Sequence, residues 1–281
     1  MVRGLYTGAS GMIAQMDRIN VLSNNLANVN TPSYKRDTTI MKAFPEMLIR
    51  RINDDGVRTI PPGSYDLMPV IGKMGTGVEV NEVYTRFSQG AFKQTDNAFD
   101  LALEGEGFIA VQTPEGERYT RNGSFLIDSD GYLVTKDGYR VLGENGPIQI
   151  KKNNFIVDEN GNVFENAKYT GDPSRLVSME ENEWGQTVRL DRLKIVSFPK
   201  IRYIKKMGES LYVATRYSEP AFIIQQNRPK VRQGFLEASN VNPVVEMVNL
   251  IEVHRTYEAN QKMIQAHEAA LGRVINEVGK A

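Results

Sequence analysis

Apolar residues recur every seven positions at both ends of this chain. Near the start, the repeat comprises Leu5, Met12, Ile19 and Leu26, with Met16 and Leu22 at intermediate positions. Near the end, it comprises Leu250, Tyr257, Ile264 and Leu271. Further apolar residues fill the intermediate positions there, and the polar residues Asn260 and His267 interrupt that intermediate series. A sustained seven-residue repeat is typical of helices that turn one face towards a helical partner. The sequence therefore predicts a helix at each end, and the two are expected to pair as a coiled-coil-like stem.

Prolines mark the limits of both predicted helices. The first helix is expected to end at Asn28–Pro32, because the residue before a proline avoids helical angles and asparagine tolerates a left-handed conformation. The second is expected to begin at Asn242–Pro243, where the asparagine can cap the helix and the proline fits its first turn. Isolated helices are marginal in water. Each helix therefore needs a partner, which is either the other helix of the same chain or a helix of a second copy.

The residues between the helices follow a different pattern. Residues 37–92 contain turn-rich stretches and are interpreted as an extended connector. Residues 93–231 contain short runs of Phe, Tyr, Ile and Val, with strands predicted near 193–198, 210–214 and 221–224. Tight-turn dipeptides separate the earlier runs at Asp130–Gly131, Asp137–Gly138, Asn145–Gly146 and Asn160–Gly161. The predicted fold is α+β, with a discontinuous helical domain (1–36 and 232–281) and a central, mainly antiparallel β-domain.

Composition narrows the function classes. The 34 basic residues balance the 34 acidic ones, so we expect neither nucleic-acid binding nor attraction to an anionic membrane surface. No apolar run is long enough to predict membrane insertion. The opening residues lack the apolar stretch of a signal peptide, so we expect any export to use a route without a cleaved signal. The absence of cysteine excludes disulfides and cysteine nucleophiles.

Several side chains that could carry chemistry are better explained by structure. Glu104, Glu106, Glu115 and Glu117 could supply the paired carboxylates of a hydrolase acting on peptidoglycan. That enzymatic alternative requires a cleft that brings two of them to catalytic spacing. The only histidines, His254 and His267, are too poorly spaced on one helix to share a metal.

Three further motifs also have simple structural interpretations. Gly105–Glu106–Gly107 is expected to form a turn between strands, since no third glycine or helix follows it as in a phosphate loop. Asp128–Gly131 and Asp158–Gly161 are interpreted as hairpin turns, because their glycines are misplaced for calcium loops. Lys35 and its neighbours Tyr34 and Arg36 are interpreted as a solvated or interface corner after the first helix.

Three stretches resemble the flagellar rod and hook proteins. The first is 22–36, which contains the motif residues Asn24, Asn25, Leu26, Ala27 and Asn28. The second is 103–143, which includes Gly105, Gly107 and Phe108 and resembles the start of that family's β-domain. The third is 233–243, which includes Ser239 and Asn240 and resembles the lead into the closing helix. The chain has room for only one β-domain between its helices, which fits a rod protein better than a hook protein.

The resemblance implies a non-enzymatic structural subunit of the bacterial flagellar rod in the periplasm, without cofactors. The residues of the two seven-residue repeats would form its subunit interface. Its implied partners are copies of itself, other rod and hook-basal-body proteins, and the export apparatus that secretes the unfolded chain. The opening residues 3–12 look nearer to proximal than to distal rod members. A distal rod subunit and the peptidoglycan hydrolase are the alternatives.

Overall fold

The computed structural model describes residues 2–50, 57–60, 63–66, 70–95, 97–150, 155–166 and 187–278. The chain divides into two compact units. The helix unit comprises Met1–Leu26, Asp37–Tyr84 and Pro243–Ala281. The β unit comprises Ala27–Arg36 and Thr85–Asn242.

In its described ranges, the helix unit contains the two long helices and six short strands. Helix α1 spans Val2–Ala27, and α2 spans Pro243–Arg273 before a π-helical turn at Val274–Val278. The strands are β1 (Asp37–Ala43), β2 (Met47–Arg50), β3 (Val57–Ile60), β4 (Gly63–Asp66), β5 (Val70–Met74) and β6 (Val78–Thr85). They form three two-stranded sheets, in which β1 pairs with β6, β2 with β5 and β3 with β4. The end of α1 at Ala27 and the start of α2 at Pro243 confirm the helix limits predicted from the prolines.

The described residues of the β unit form sixteen strands. They are β7 (Phe92–Gln94), β8 (Leu101–Glu104), β9 (Phe108–Thr113), β10 (Gly116–Thr120), β11 (Phe125–Ile127), β12 (Leu133–Thr135), β13 (Arg140–Val141), β14 (Ile156–Val157), β15 (Asn162–Asn166), β16 (Thr187–Arg192), β17 (Ile195–Ser197), β18 (Lys205–Lys206), β19 (Leu211–Val213), β20 (Phe222–Ile223), β21 (Lys230–Gln233) and β22 (Phe235–Glu237). The strands predicted near 193–198, 210–214 and 221–224 are confirmed as β17, β19 and β20.

A nine-stranded sheet dominates this unit. Its strands follow the order β11-β12-β13-β9-β10-β19-β18, and β17 pairs with both β9 and β20. Smaller sheets join β14, β15 and β16, and pair β21 with β8 and β22 with β7. The pairings are antiparallel, as expected from hairpin connections. The predicted α+β class with a central antiparallel β region is therefore confirmed.

The tight turns lie where the dipeptides predict them. Gly131 joins β11 to β12, Gly138 joins β12 to β13 and Gly161 joins β14 to β15, with φ of 82°, 85° and 78°. Such positive angles strain residues that have a Cβ atom, which explains the glycines. Asp158 accepts hydrogen bonds from the backbone N–H groups of Asn160 and Asn162, so its carboxylate stabilises a turn.

Two apolar clusters form the core of the β unit. The larger includes Leu101, Ile109, Phe125, Leu193 and Ile195. The smaller surrounds Phe108, whose ring makes an edge contact with Phe87 at 5.7 Å between ring centroids. Strand β9 contributes to both clusters, because its side chains alternate between the two faces of the sheet.

Most of the predicted connector lies in the helix unit. Residues 37–84 belong to that unit together with the two helices. The physical reason is that β1 pairs with β6, so the segment folds back on itself. The domain boundaries after residues 36, 92 and 231 remain a prediction from the sequence.

Candidate assembly interface

Gly4, Gly8 and Gly11 lie on one face of α1, at spacings of four and three residues. Side chains of α2 meet them in reverse order along the chain: His267 lies against Gly4, Ile264 against Gly8 and Asn260 against Gly11. A Cβ atom on Gly4 would lie 2.8 Å from Nε2 of His267, and one on Gly8 would lie 3.1 Å from Cγ1 of Ile264. The two helices are therefore antiparallel and in close contact, because glycine leaves room for the opposing side chains.

Further buried residues lie along both helices beyond the glycines. On α1, Ala14 and Leu22 are buried, with 1% and 5% of their surface exposed. On α2, Val253 and Glu246 are buried. These residues lie on the same faces as the glycines and Ile264, since helical residues three or four apart are neighbours.

The residues of the predicted seam occupy different environments. Asn260, Ile264 and His267 contact the glycine face, and Leu22 is buried. Met16 is 56% exposed. The remaining predicted seam residues are half-buried: Leu5, Met12, Ile19, Leu26, Leu250, Tyr257 and Leu271. Sequence reasoning missed Gly4, Gly8 and Gly11, although their spacing was a usable signal for close helix contact. The assignment of the seam to a subunit interface remains a prediction.

An open cavity of about 370 Å³ also lies within the helix unit. Its lining residues are Arg3, Gly4, Tyr6, Thr7, Met47, Met74, Gly75, Thr76 and Met263. The Thr7 hydroxyl lies 3.2 Å from the backbone carbonyl of Thr76, to which it donates a hydrogen bond. The three methionines give the cavity an adaptable apolar wall.

The amino-terminal motif connects α1 to the strand that follows it. Asn25 is fully buried. Its Oδ1 accepts a hydrogen bond from the Asp37 backbone N–H at 2.9 Å, and its Nδ2 donates to the Asp37 carbonyl at 2.8 Å. This paired contact imitates a β-ladder and fixes the start of β1. In the same motif, Asn24 and Ala27 are exposed and Asn28 is half-buried. Asn28 accepts a hydrogen bond from Thr31 in the turn that ends the helix.

The carboxyl-terminal motif performs a similar role in the β unit. The side chain of Asn240 accepts a hydrogen bond from the Arg36 N–H at 2.7 Å. It also donates to the carbonyls of Arg86 and Ser88, at 2.8 and 3.1 Å. The neighbouring Ser239 accepts from the N–H of Val241 at 3.2 Å. Asn240 thus holds three separate chain segments together.

Three charged side chains are buried together in the β unit. Lys35, Arg121 and Glu237 are 0%, 3% and 2% exposed. Both oxygens of the Glu237 carboxylate are used, since Lys35 lies 2.5 Å from Oε1 and Arg121 lies 3.2 Å from Oε2. Oε1 also accepts the N–H of Gly90 at 2.8 Å. We call these three residues the charge cluster.

The remaining donors of the charge cluster reach backbone carbonyls. Lys35 donates to Ser88 at 3.0 Å, and Arg121 donates to Gly105 at 2.6 Å. Burial, followed by the nearby guanidinium of Arg121, lowers the pKa of Lys35, and Glu237 opposes this shift. Lys35 is therefore buried, so the expectation of a solvated side chain is wrong for this residue, and the alternative of an interface corner stays a prediction. Sequence gave no signal for the cluster, because its members lie far apart in the chain.

The glycine motif at 105–107 lies in the turn before β9. Gly105 and Gly107 have φ of 120° and 152°, and a Cβ atom on Gly107 would lie 3.0 Å from Ile195. Phe108 directly after them is fully buried. These contacts confirm the turn expected from sequence.

The carboxylates of the enzymatic alternative pair with cations. Glu104 lies 2.7 Å from Arg232, Glu117 lies 2.8 Å from Lys194, and Glu115 lies 3.2 Å from Arg118. Glu106 is exposed. The structure therefore gives no support to a carboxylate pair poised for acid and base catalysis among these four residues.

His254 and His267 occupy separate environments. His254 lies 3.3 Å from Glu258 on the exposed side of α2, whereas His267 contacts Gly4. Within the described ranges, histidine and carboxylate side chains form no group of three or more that could hold a metal ion. No helix in the described part of the chain combines the length and apolarity needed to span a membrane.

Comparison with known proteins gives consistent matches along the chain. The family model described as "Flagella basal body rod protein" matches residues 5–35. The model "Flagellar hook protein FlgE/F/G D1 domain" matches 102–165, and "Flagellar basal body rod FlgEFG protein C-terminal" matches 232–277. These ranges contain the second and third motifs described above and all but the last residue of the first.

Curated relatives match over nearly their full length. The flagellar hook-basal body complex protein FlhO of Bacillus subtilis is 34% identical, covering 100% of both chains. The flagellar basal-body rod protein FlgG of Borreliella burgdorferi is 33% identical, covering 97% of both. The FlgG protein of Bacillus subtilis is 30% identical, covering 98% of this chain and 99% of its own. The chain therefore belongs to the flagellar basal-body rod protein family.

Proposed function

We propose that this chain is a non-enzymatic structural subunit of the flagellar basal-body rod, which joins its neighbours through its terminal helices. The observation that carries this proposal is the helix pair. α1 and α2 use one face for each other through the glycines, yet apolar residues on their outer faces stay exposed, including Ile13 at 65% and Val248 at 59%. Exposed apolar surface of this kind marks sites of association.

The pair is proposed to continue as a coiled-coil-like stem along the rest of its length. Leu22 and Val253 are buried, and the seam residues Leu250 and Tyr257 are half-buried. In the assembled rod, further copies would cover what remains of the seam. The helices of many copies would then surround the export channel.

The β unit is proposed to carry contacts to neighbouring rod and hook-basal-body proteins. Its charge cluster and Asn240 hold the segment that follows α1 and the segment that precedes α2. Force applied to either helix would therefore pass into the folded β unit. This connection suits the transmission of torque. The chain is proposed to reach the periplasmic rod unfolded, through the flagellar export apparatus.

Within the rod, we assign the chain to a proximal position, on the likeness of residues 3–12 to proximal members. A distal position is the alternative. The names FlgG and FlgF describe the relatives and are not transferred to this chain. Removing the chain from its cell should leave basal bodies without a complete rod, as seen by electron microscopy of isolated basal bodies. Complete rods and normal motility in its absence would contradict the proposal.

A further inference from the structure

An apolar stripe on α1 lies on the side of the helix opposite the glycine face, and its first residue, Tyr6, also lines the cavity of the helix unit. It comprises Tyr6, Ala9, Ile13 and Met16, at spacings of three, four and three residues. Tyr6 is 71% exposed and Ile13 is 65% exposed. Ile13 lies nine residues after Gly4, which is two and a half turns, so it points half a turn away from the glycine face. We call these four residues the α1 outer stripe.

A second stripe lies on the outer side of α2. It comprises Val244, Val248, Ile251 and Arg255, at spacings of four, three and four residues. Val244, Val248 and Ile251 are 63%, 59% and 53% exposed. Arg255 lies nine residues before Ile264 and so points half a turn away from the contact with α1. We call these residues the α2 outer stripe.

We propose that the α1 outer stripe of one copy packs antiparallel against the α2 outer stripe of the next copy. This inference rests on the proposed function, because it assumes a helical assembly in which every copy has the same orientation along the axis. Within one chain α1 and α2 are antiparallel. In such an assembly, α1 of one copy and α2 of its neighbour are therefore antiparallel too.

The two stripes match in length, and one of their apolar pairs combines a small with a large side chain. With Ile13 opposite Val248, the antiparallel register brings Met16 opposite Val244. The same register brings the small Ala9 opposite the larger Ile251. Large side chains facing small ones interdigitate without overpacking.

The register also pairs the two polar ends of the stripes. Tyr6 comes opposite Arg255, and both are exposed in the single chain. An arginine guanidinium over a tyrosine ring is a favourable cation–π contact. This contact would favour the antiparallel alignment of the two stripes. If the stripes were aligned in parallel instead, Tyr6 would lie opposite the apolar Val244.

The stripes are different surfaces, so the contact between copies is heterologous. Each copy uses its α1 stripe on one neighbour and its α2 stripe on another, which produces an open-ended assembly. Four side chains on each partner fall short of the roughly 800 Å² per partner of a stable complex. A single pair should therefore separate in dilute solution, and copies should join only where several contacts form together.

Cysteine cross-linking tests this interface, because the chain contains no cysteine of its own. The test chain carries Ile13→Cys and Val248→Cys and replaces the natural chain in the cell. A matched control carries Ile13→Cys and Lys262→Cys. Lys262 is exposed on the same side of α2 but lies 14 residues from Val248, or about 21 Å along the helix.

Hook-basal bodies are isolated, oxidised and separated on a non-reducing gel. The interface predicts a ladder of dimers and larger products from the test chain, at least about tenfold stronger than from the control. Unlinked test chain inside isolated basal bodies would overturn the interface and leave the proposed function intact. Cross-linked dimers of a chain that carries Ile13→Cys alone would also overturn the interface, since they would show that the α1 outer stripes of two copies meet each other. Absence of the natural, epitope-tagged chain from basal bodies would instead refute the proposed function.

A charge exchange supplies an independent test in case the cysteine chains do not assemble. Arg255→Glu should reduce motility by at least about tenfold. Adding Tyr6→Lys should restore motility, because the lysine would face the new glutamate. Failure of the double variant to improve on Arg255→Glu would overturn the inferred register.

Discussion

The charge cluster connects residues that are distant in sequence. Lys35 and Glu237 are 202 residues apart, and Arg121 is 116 residues from Glu237. Two cations share one buried carboxylate, so the cluster depends on Glu237. Removing one member of a buried ion pair leaves an uncompensated charge, which is more costly than losing an exposed pair.

Glu237→Gln should therefore destabilise the β unit strongly. Without the carboxylate, Lys35 and Arg121 would remain buried beside each other, and we expect a loss of about 3–5 kcal/mol. Urea unfolding of the purified chain measures this change. The matched control is Glu106→Gln at an exposed site, which should alter stability by less than about 0.5 kcal/mol. Equal effects of the two substitutions would contradict a structural role for the cluster.

Tyr119 makes the stability of the β unit sensitive to alkaline pH. Burial, and then the neighbouring Glu117 carboxylate, raise the pKa of Tyr119 to about 12. Its ordinary pKa is 10.0, so the folded state holds this proton more tightly than the unfolded state. The resulting stabilisation is complete below pH 10 and is lost as the pH rises towards 12.

Tyr119→Phe should remove this part of the pH dependence. The free energy of unfolding of the natural chain should fall more steeply between pH 10 and 12 than that of the variant. Denaturant unfolding across that range measures both slopes. The exposed Tyr217 provides a control, since Tyr217→Phe should keep the natural slope. A Tyr119→Phe variant with an unchanged slope would show that another group causes the dependence.

At the scale of elements, the helices and turns follow from local sequence. Pro243 marks the start of α2, and the glycine dipeptides mark the hairpins, because both act through the backbone of a few residues. The helix contact was harder to predict. A repeat of apolar residues shows which face is hydrophobic, but it does not show that Gly4, Gly8 and Gly11 accept the opposing side chains.

The charge cluster could not be predicted in this way. Its formation depends on the pairing of β22 with β7 and on the path of residues 27–36, and neither leaves a periodic signal. A lysine next to a tyrosine and an arginine, as at 34–36, is usually solvated. Long-range topology therefore decided the environment of Lys35.

The glycine contact predicts a steric effect on assembly. A side chain on Gly8 would meet Met263 at 2.9 Å and Ile264 at 3.1 Å from its Cβ atom alone. Gly8→Leu should therefore cost about 1–3 kcal/mol of helix packing, since overpacking forces neighbouring side chains to move. We expect about tenfold less of this variant in isolated basal bodies, measured by quantitative immunoblotting.

Gly272→Leu is the matched control for Gly8→Leu. A Cβ atom on Gly272 would meet nothing within 4 Å in the described structure. This variant should assemble in normal amounts. Equal incorporation of both variants would argue against a close contact at Gly8.

At the scale of the whole molecule, the two ends of the chain belong to one unit. Residues 1–26 and 243–281 join in the helix unit, while residues 27–36 and 85–242 form the β unit. The hydrogen bonds of the charge cluster lie entirely inside the β unit. Loss of α2 should therefore leave that cluster intact and leave the glycine face of α1 uncovered.

Truncation of the chain before Val244 tests this division. The shortened chain should remain soluble with a β-rich circular dichroism spectrum, but cells that produce it should build no flagella. The full-length chain made from the same promoter is the control. Normal flagella on cells with the truncated chain would show that the terminal helices are dispensable for assembly.

The most direct test of a rod subunit is antibody labelling along the axis of purified hook-basal bodies. A structural rod protein predicts label on the rod, and the proximal assignment predicts it near the membrane-proximal end. Label further out would move the chain to the distal rod. Absence of label from the whole structure, with the protein present in the cells, would contradict a structural role in the rod.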